Sequence, residues 1–139
     1  MAWPERICTG ILALAVGACA GNQDPLAPHM MSDETANVYP TNYKSEILAY
    51  LRTYLNDPTG IRDAAIGQPA LRPVHDHNRY VVCLRFSARK SSGSGYAGAK
   101  DNMMVFVAGK LDRLLEAGAR ETCKDDTLAA FPELEHLTR

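Results

Sequence analysis

The side chains best suited to bind a metal ion lie in one short run, His75-Asp76-His77, inside a predicted loop over residues 67–79. Imidazole and carboxylate groups are common transition-metal ligands, but a stable zinc site needs three or four ligands that converge. The remaining histidines, His29 and His136, lie far from this run in the sequence. The pattern therefore predicts a solvated loop, and the alternative is a weak metal site at His75 and His77.

A second candidate for chemistry is the segment 93–98 (GSGYAG), which fits the G-x-G-x-x-G pattern of dinucleotide-binding loops. In those loops a helix begins at the glycines, so that its N-terminus meets the pyrophosphate. Here the apolar segment 102–108 (NMMVFVA) follows, and its composition indicates a strand. The pattern therefore predicts a flexible connection between two strands, and we expect no cofactor.

Basic residues surround this glycine-rich connection, and Tyr96 lies at its centre. The four cations are Arg85, Arg89, Lys90 and Lys100. Aromatic and arginine side chains are enriched at protein interfaces. We therefore predict that these five residues form an interaction surface for an acidic partner protein, a phosphate-bearing lipid or a glycan. The alternative is an ordinary solvated strand face with a long hairpin loop.

The composition points to one folded domain without nucleic-acid-binding character. The chain has 139 residues, 46% of them hydrophobic, and a formal net charge of −1. This apolar fraction is sufficient for a hydrophobic core, and the lack of a basic excess argues against nucleic-acid binding. No combination of nucleophile, acid and base is evident in the sequence, so we predict that the protein is not an enzyme.

The elements that must position these residues are one helix and several strands. Residues 43–56 (YKSEILAYLRTYLN) repeat apolar side chains with helical spacing, and Asp57-Pro58 ends the helix. The predicted buried face consists of Ile47, Leu48, Leu51, Tyr54 and Leu55. Residues 79–89 (RYVVCLRFSAR) alternate between an apolar and a mixed face, which is typical of a strand in an antiparallel sheet.

Further strands are predicted at residues 61–66 and 102–108, and residues 111–117 form either the return strand of a hairpin or a short helix. We therefore predict an α+β fold in two layers, in which one N-terminal amphipathic helix packs on a small antiparallel sheet of three to four strands. Residues 118–139 are predicted to be a C-terminal tail that packs on this domain.

The N-terminus carries a different kind of signal. Residues 7–17 form an apolar run after Arg6 that is too short for a membrane-spanning helix, which takes about 20 residues. The run ends in Val16-Gly17-Ala18-Cys19, an aliphatic residue and two small residues before a cysteine. This resembles the signal peptide and lipobox of bacterial lipoproteins. The alternatives are a plain secretory signal peptide and a buried apolar helix.

The resemblance implies a processed, lipid-anchored protein. Residues 1–18 are then the signal peptide, and Cys19 carries the lipid, including palmitate. Residues 19–38 are a flexible tether, and residues 39–139 form a periplasmic domain. Ala20 follows the lipidated cysteine, and in that family such a residue favours the outer membrane over the inner one. The lipid bilayer is therefore the first expected partner.

The same resemblance bears on the other cysteines. It implies that Cys8 leaves with the signal peptide and that Cys19 is lipidated, so that Cys83 and Cys123 remain in the oxidising periplasm. A disulfide between them is expected, and it would pin the C-terminal tail to the domain. The alternatives are a free buried Cys83 and a reactive thiol with a neighbouring histidine.

Residues 43–115 also resemble, in a loose pattern, small proteobacterial envelope proteins. The pattern comprises Leu55-Asn56-Asp57-Pro58, Val82-Cys83, Ser87-Ala88-Arg89 and Gly95-Tyr96-Ala97-Gly98. It implies a fold and no particular activity. We therefore predict a membrane-anchored periplasmic lipoprotein that acts as a non-enzymatic protein-interaction module in envelope assembly or maintenance, with an envelope protein as partner. The alternative is a lipoprotein that binds a small ligand or a metal ion.

Overall fold

The computed structural model describes residues 32–139, so the predicted signal peptide and Cys19 lie outside the described residues. The elements, in chain order, are α1 (Asp33–Ala36), α2 (Tyr43–Tyr54), β1 (Arg62–Ile66), β2 (Ala70–Val74), β3 (His77–Ser87), β4 (Lys100–Val107), β5 (Lys110–Leu115), α3 (Ala119–Thr122), β6 (Ala129–Ala130) and α4 (Pro132–Glu135). No helix in this part of the chain is long and apolar enough to cross a membrane.

The sheet is built around β3. All strand pairs are antiparallel, and the strand order is β5-β4-β3-β1-β6. On the side of β3 opposite β4, β2 pairs with the first half of the strand and β1 pairs with the second half. The predicted α+β class is therefore confirmed, but the sheet has six strands instead of three to four.

The predicted loop over residues 67–79 is wrong, because Ala70–Val74 forms strand β2. β2 and β3 make a hairpin whose turn is His75-Asp76, and His75 has a positive φ of 53°. Pro73 lies opposite Asn78 in a strand that pairs with β3 alone. An edge strand accepts a proline because the missing N–H need not join the ladder. The proline and the polar turn therefore explain why the sequence pattern did not indicate a strand here.

One face of the sheet packs against helix α2. Ile47 and Leu51 of the helix are fully buried in this core. The strands contribute Val82, Leu84, Phe86, Met104 and Phe106. The helix face and the strand face that the sequence patterns predicted therefore pack against each other in one core. Tyr54, which was predicted to share the buried face, is 51% exposed and stacks on Tyr50, with ring centroids 5.3 Å apart.

Glu46 joins helix α2 to the edge strand β5. Its carboxylate accepts hydrogen bonds from Lys110 Nζ at 2.8 Å and from the backbone N–H of Leu111 at 2.7 Å. These bonds, with that from Lys110 the largest cause, lower the pKa of Glu46. The return strand predicted for residues 111–117 is therefore formed, and part of its exposed edge is covered by the helix.

The other face of the sheet carries a smaller core around a disulfide. Cys83 of β3 and Cys123, which follows α3, are buried and bonded to each other, with their Cα atoms 5.8 Å apart. The expected disulfide is therefore present. The tail over residues 118–139 enters both cores, because Ala119 packs beside the disulfide while later residues pack on the α2 face. Those later residues are Phe131, Leu134 and Leu137.

Helix α1 lies within residues 19–38, which were predicted to be a flexible tether. Its Ala36 is buried, and the carbonyl oxygen of Ala36 accepts a hydrogen bond from the backbone N–H of Ala108 at 2.7 Å. Asp33 in the same helix contacts side chains of β3. The folded domain therefore extends back at least to Asp33.

Candidate functional site

The residues that the sequence singled out lie at the two ends of strand β3. The hairpin end lies at His77 and includes the β2–β3 turn and helix α1. The loop end lies at Ser87 and includes the connection over residues 88–99 that leads to β4. The two ends differ in how their charged side chains are partnered.

The glycine-rich connection at the loop end begins as an extension of the β3 backbone. The N–H of Ala97 donates to the carbonyl oxygen of Ala88 at 2.9 Å, and the N–H of Lys90 donates to that of Gly95 at 3.0 Å. Gly93 and Gly95 have φ values of +80° and +77°, a region that favours glycine. The connection leads into strand β4 without an intervening helix, so it offers no helix N-terminus to a pyrophosphate.

Tyr96 is held against the domain and is half-buried. Its hydroxyl donates a hydrogen bond to the carbonyl oxygen of Gly60 at 2.7 Å. The central carbons of two guanidinium groups lie 4.2 Å (Arg62) and 5.9 Å (Arg89) from the centroid of its ring. Because the face of an aromatic ring attracts cations, Tyr96 helps to hold both arginines in place. The side chain predicted to be a partner-binding anchor therefore has an internal role in this structure.

Gly60 allows Arg89 to lie close to the domain. Its φ of +65° is in the region that favours glycine, and a Cβ atom built there would lie 2.9 Å from Arg89 Nε and 3.1 Å from Arg89 Nη2. Any larger residue at position 60 would displace the guanidinium group. The absence of a side chain in the turn before β1 therefore leaves room for the guanidinium group.

An open cleft of about 670 Å³ lies beside these arginines, and we call it the basic cleft. It is lined by residues 54–57 at the end of α2 and by residues 88–92 and 97 of the connection. Its two cations, Arg89 and Lys90, are exposed. Neither of them, nor the neighbouring Arg62, forms an ion pair with any residue that the structure describes.

Asp57 lines the same cleft, but its carboxylate is already engaged. Its Oδ1 accepts hydrogen bonds from the hydroxyl of Thr59 at 2.6 Å and from the N–H of Thr59 at 3.0 Å. These bonds are the main reason why the pKa of Asp57 lies below its ordinary value, and the positive charge of Arg89 contributes less. The two lining cations therefore outnumber the single lining carboxylate.

A narrower depression of about 110 Å³ adjoins the basic cleft, and we call it the apolar notch. The cleft and the notch share four lining residues, Tyr54, Leu55, Ala88 and Ala97. The notch adds the apolar side chains of Phe86 and Leu114, and Lys100, Asn102 and Glu116 also line it. A ligand that enters the cleft therefore meets an apolar surface beside the cations.

Two of the predicted surface cations, Arg85 and Lys100, do not line the basic cleft and are paired with carboxylates. Arg85 Nε donates to Asp101 Oδ1 at 2.7 Å, and this bond raises the pKa of Arg85. Lys100 Nζ lies 3.8 Å from Glu116 Oε2. Both cations line a separate open depression of about 600 Å³. The structure therefore divides the predicted surface into a neutralised part and the basic cleft.

Arg62 belongs to the loop end, although no pattern in the sequence marks it as a candidate. It lies in β1, opposite Ser87 of β3, and this pairing brings it to Tyr96. No local spacing in the sequence connects residue 62 with residue 96. Only the register of the sheet reveals the contact.

The hairpin end contains the two histidines that were considered as metal ligands. His77 Nδ1 lies 3.3 Å from Asp33 Oδ1, and Arg79 Nη1 donates to the same oxygen at 2.8 Å. The hydrogen bond from Arg79 is the largest cause of the lowered pKa of Asp33. The carboxylate of helix α1 thus partners both basic side chains at this end.

In residues 32–139, His77 contacts Asp33, but His75 and His77 do not belong to a group of three ligand-type side chains within mutual reach. In that range, the one group of three ligand-type side chains within mutual reach consists of Cys83, Cys123 and Asp126. The two sulfur atoms of this group are joined in the disulfide and are not available as thiolates. This group is therefore not a candidate metal site.

No known family model matches this chain, and neither a curated protein nor a solved structure matches it. The geometry of the loop end is therefore the main basis for a functional assignment.

Proposed function

We propose that this protein is a lipid-anchored, non-enzymatic module of the bacterial envelope that binds a partner protein through the basic cleft. The observation that carries the proposal is the convergence of Arg62, Arg89 and Lys90 at the loop end, where no described acidic side chain forms an ion pair with them. Like charges held near each other repel, so an anionic group that enters the cleft is attracted by all three. Such complementarity accelerates association and discriminates between partners.

Helix α1 and the basic cleft lie at opposite ends of strand β3, an arrangement that suits an anchored module. Residue 32 precedes Asp33, which contacts His77 at the hairpin end, whereas the cleft lies beyond Ser87. β3 has 11 residues, and at about 3.3 Å per residue it spans roughly 35 Å. With a lipid on Cys19, as the lipobox-like residues 16–19 indicate, the cleft lies at the opposite end of β3 from the attached segment.

Two further observations favour binding over catalysis. Cys83 and Cys123 are joined in a buried disulfide, so neither serves as a thiol nucleophile. His75 and His77 lie at the hairpin end, far from the cleft along β3. The polar groups that line the cleft include cations, hydroxyls and an engaged carboxylate, and the cations and hydroxyls suit recognition of an anion.

A small-ligand function is the second candidate. The basic cleft, at about 670 Å³, lies within the range of 300–1,000 Å³ that is usual for small-molecule sites. Its open form distinguishes it from such sites, which usually enclose most of the ligand surface. A partner that contributes a larger surface fits an open cleft better, so we prefer the protein partner.

In-cell photo-crosslinking tests the binding function. We would place a photo-reactive amino acid at Ser92, which is exposed and lines the cleft, and at Asp76, which is exposed at the hairpin turn. The expected result is a discrete protein adduct from position 92 and none from position 76. Adducts from neither position, or the same adduct from both, would remove the support for the cleft as the working surface.

The lipid anchor is tested separately. Cys19→Ser removes the thiol that would accept the lipid, so this variant should lose palmitate labelling and leave the membrane fraction. Cys8→Ser, which alters the predicted signal peptide, is the matched control and should keep both properties. Equal labelling of Cys19→Ser and the wild-type protein would refute the anchor.

A further inference from the structure

We propose that the basic cleft and the apolar notch together bind the carboxyl-terminal residue of a peptide chain. The α-carboxylate lies on Arg89 and Lys90, and a branched aliphatic side chain fills the notch. This inference rests on the proposed binding function, and it names the part of the partner that is recognised.

The positive charge of the basic cleft lies beside the apolar surface of the notch. The cleft and the notch share Tyr54, Leu55, Ala88 and Ala97 as lining residues. An anionic group on Arg89 therefore lies next to an apolar depression. The ligand must accordingly carry an anionic group and an apolar group close together.

The Arg89 guanidinium group is held in place before a ligand binds. The Arg89 guanidinium group lies against Gly60 and 5.9 Å from the Tyr96 ring, and no described carboxylate pairs with it. The planar guanidinium group matches a carboxylate through two parallel N–H donors. Because the surrounding turn already restricts this side chain, less conformational entropy is lost when a ligand binds.

The notch is small and partly apolar. Its volume of about 110 Å³ and its walls of Leu55, Phe86 and Leu114 suit a single branched aliphatic side chain. The notch also contains the buried Asn102 amide, which donates hydrogen bonds to the carbonyl oxygens of Lys100 at 3.1 Å and Leu84 at 3.4 Å.

These features together select a chain terminus among anionic ligands. In a terminal leucine or valine, the carboxylate and the aliphatic side chain are bonded to the same carbon atom. In an aspartate or glutamate within a chain, the carboxylate is the end of the side chain, with no branched apolar group beside it. In a phospholipid, the acyl chains are much longer than the notch. The other charged residues that line the notch are Lys100 and Glu116, and they form an ion pair with each other at 3.8 Å.

Peptide binding to the full chain in detergent provides the test. The probe is a fluorescent six-residue peptide that ends in leucine with a free carboxylate, and its matched control is the same peptide with a carboxyl-terminal amide. We expect the amide to bind at least tenfold more weakly. Equal affinity of the acid and the amide would overturn the proposal.

Variants of the cations connect the effect to the cleft. Arg89→Gln and Lys90→Gln should each weaken binding of the free acid about tenfold and leave the weak binding of the amide unchanged. Lys90 is exposed and unpaired among the described residues, so its replacement keeps the fold even if that of Arg89 does not. Arg79→Gln, at the hairpin end, is the control and should have no effect on binding.

Variants of the notch test the apolar part of the site. Ala97→Leu would fill the notch, whereas Ala99→Leu lies at the neighbouring depression and serves as its control. We expect the first to abolish the preference for a terminal leucine over a terminal serine and the second to retain it. A wild-type protein without this preference would contradict the role of the notch.

Vesicles that contain phosphatidylglycerol separate the peptide from a lipid ligand. Tighter Arg89-dependent binding to these vesicles than to the free-acid peptide would overturn the proposal in favour of a lipid headgroup. Failure of the peptide together with an adduct from Ser92 would leave the proposed function standing and remove only this inference. Failure of both experiments would remove the proposed function as well.

Discussion

Both ends of strand β3 carry basic side chains, but among the described residues only those at the hairpin end lie beside a carboxylate that partners them. At the hairpin end, Asp33 accepts a hydrogen bond from Arg79 and lies beside His77. At the loop end, Arg62 and Arg89 both lie near the ring of Tyr96 and have no described ion-pair partner. Paired charges of this kind serve the fold, whereas unpaired cations that converge remain available to a ligand. The presence of basic residues is therefore less informative than the presence or absence of their partners.

The largest expected effect is that of removing the disulfide between Cys123 and Cys83, which lies in the middle of β3. The double variant Cys83→Ala/Cys123→Ala should lower the free energy of unfolding by about 4 kcal/mol, because the disulfide closes a loop with a sequence separation of 40. Urea denaturation followed by circular dichroism measures this loss. Reduced wild-type protein should show the same loss. Separate transitions for the two ends would show that they are independent units and would break the comparison.

A smaller effect is expected from the tyrosines. Tyr96→Phe removes the hydrogen bond to the carbonyl oxygen of Gly60, which should lower the free energy of unfolding by about 1 kcal/mol. Tyr39→Phe, near the hairpin end, is a matched control, because Tyr39 is exposed and its hydroxyl has no partner among the described residues. Urea denaturation of both variants makes the comparison, and equal losses would contradict the bracing role of Tyr96.

Asp33 and Asp57, one at each end of β3, both have lowered pKa values, and their response to pH sharpens the contrast. The pKa of Asp33 is lowered chiefly by Arg79, so its contribution to stability is present above its ordinary value of 3.8 and is lost as the pH falls through the lower folded value. In Arg79→Ala the pKa of Asp33 should return toward 3.8. The dependence of the free energy of unfolding on pH that Asp33 causes below pH 4 should then disappear.

Asp57 is the matching case at the loop end. Arg89→Ala should leave most of the depression of its pKa, because the hydrogen bonds from Thr59 are its larger causes. Carboxyl chemical shifts measured by NMR during an acid titration give both pKa values. A large rise for Asp57 in Arg89→Ala would show that the cation is less available than we propose.

The smallest expected effect is that of zinc. His77 already contacts Asp33, and in the described part of the chain His75 and His77 belong to no group of three ligand-type side chains within mutual reach. We therefore expect no stoichiometric uptake in a calorimetric titration, and the same heat signal from His75→Ala/His77→Ala. Stoichiometric binding that the double variant loses would restore the metal-binding alternative.

Local patterns predicted the elements that carry the core. The apolar spacing of residues 43–56 predicted helix α2, and the alternation in residues 79–89 predicted the faces of β3. Strand β2 was missed because Pro73 and the His75-Asp76 turn make the segment appear irregular, and its strand conformation depends on pairing with β3. Helix α1 was missed for a similar reason, since four residues form a helix here only while they pack on the domain.

The sequence by itself determined the α+β class, the main helix, the central strand and the composition of the glycine-rich connection, because these depend on the period and type of neighbouring residues. It also determined that cations surround that connection. Only the tertiary structure decided which of them are neutralised, since Asp101 partners Arg85 while Arg62 arrives from another strand. Charge pairing depends on distances between residues that are remote in the chain, and the register of the sheet sets those distances.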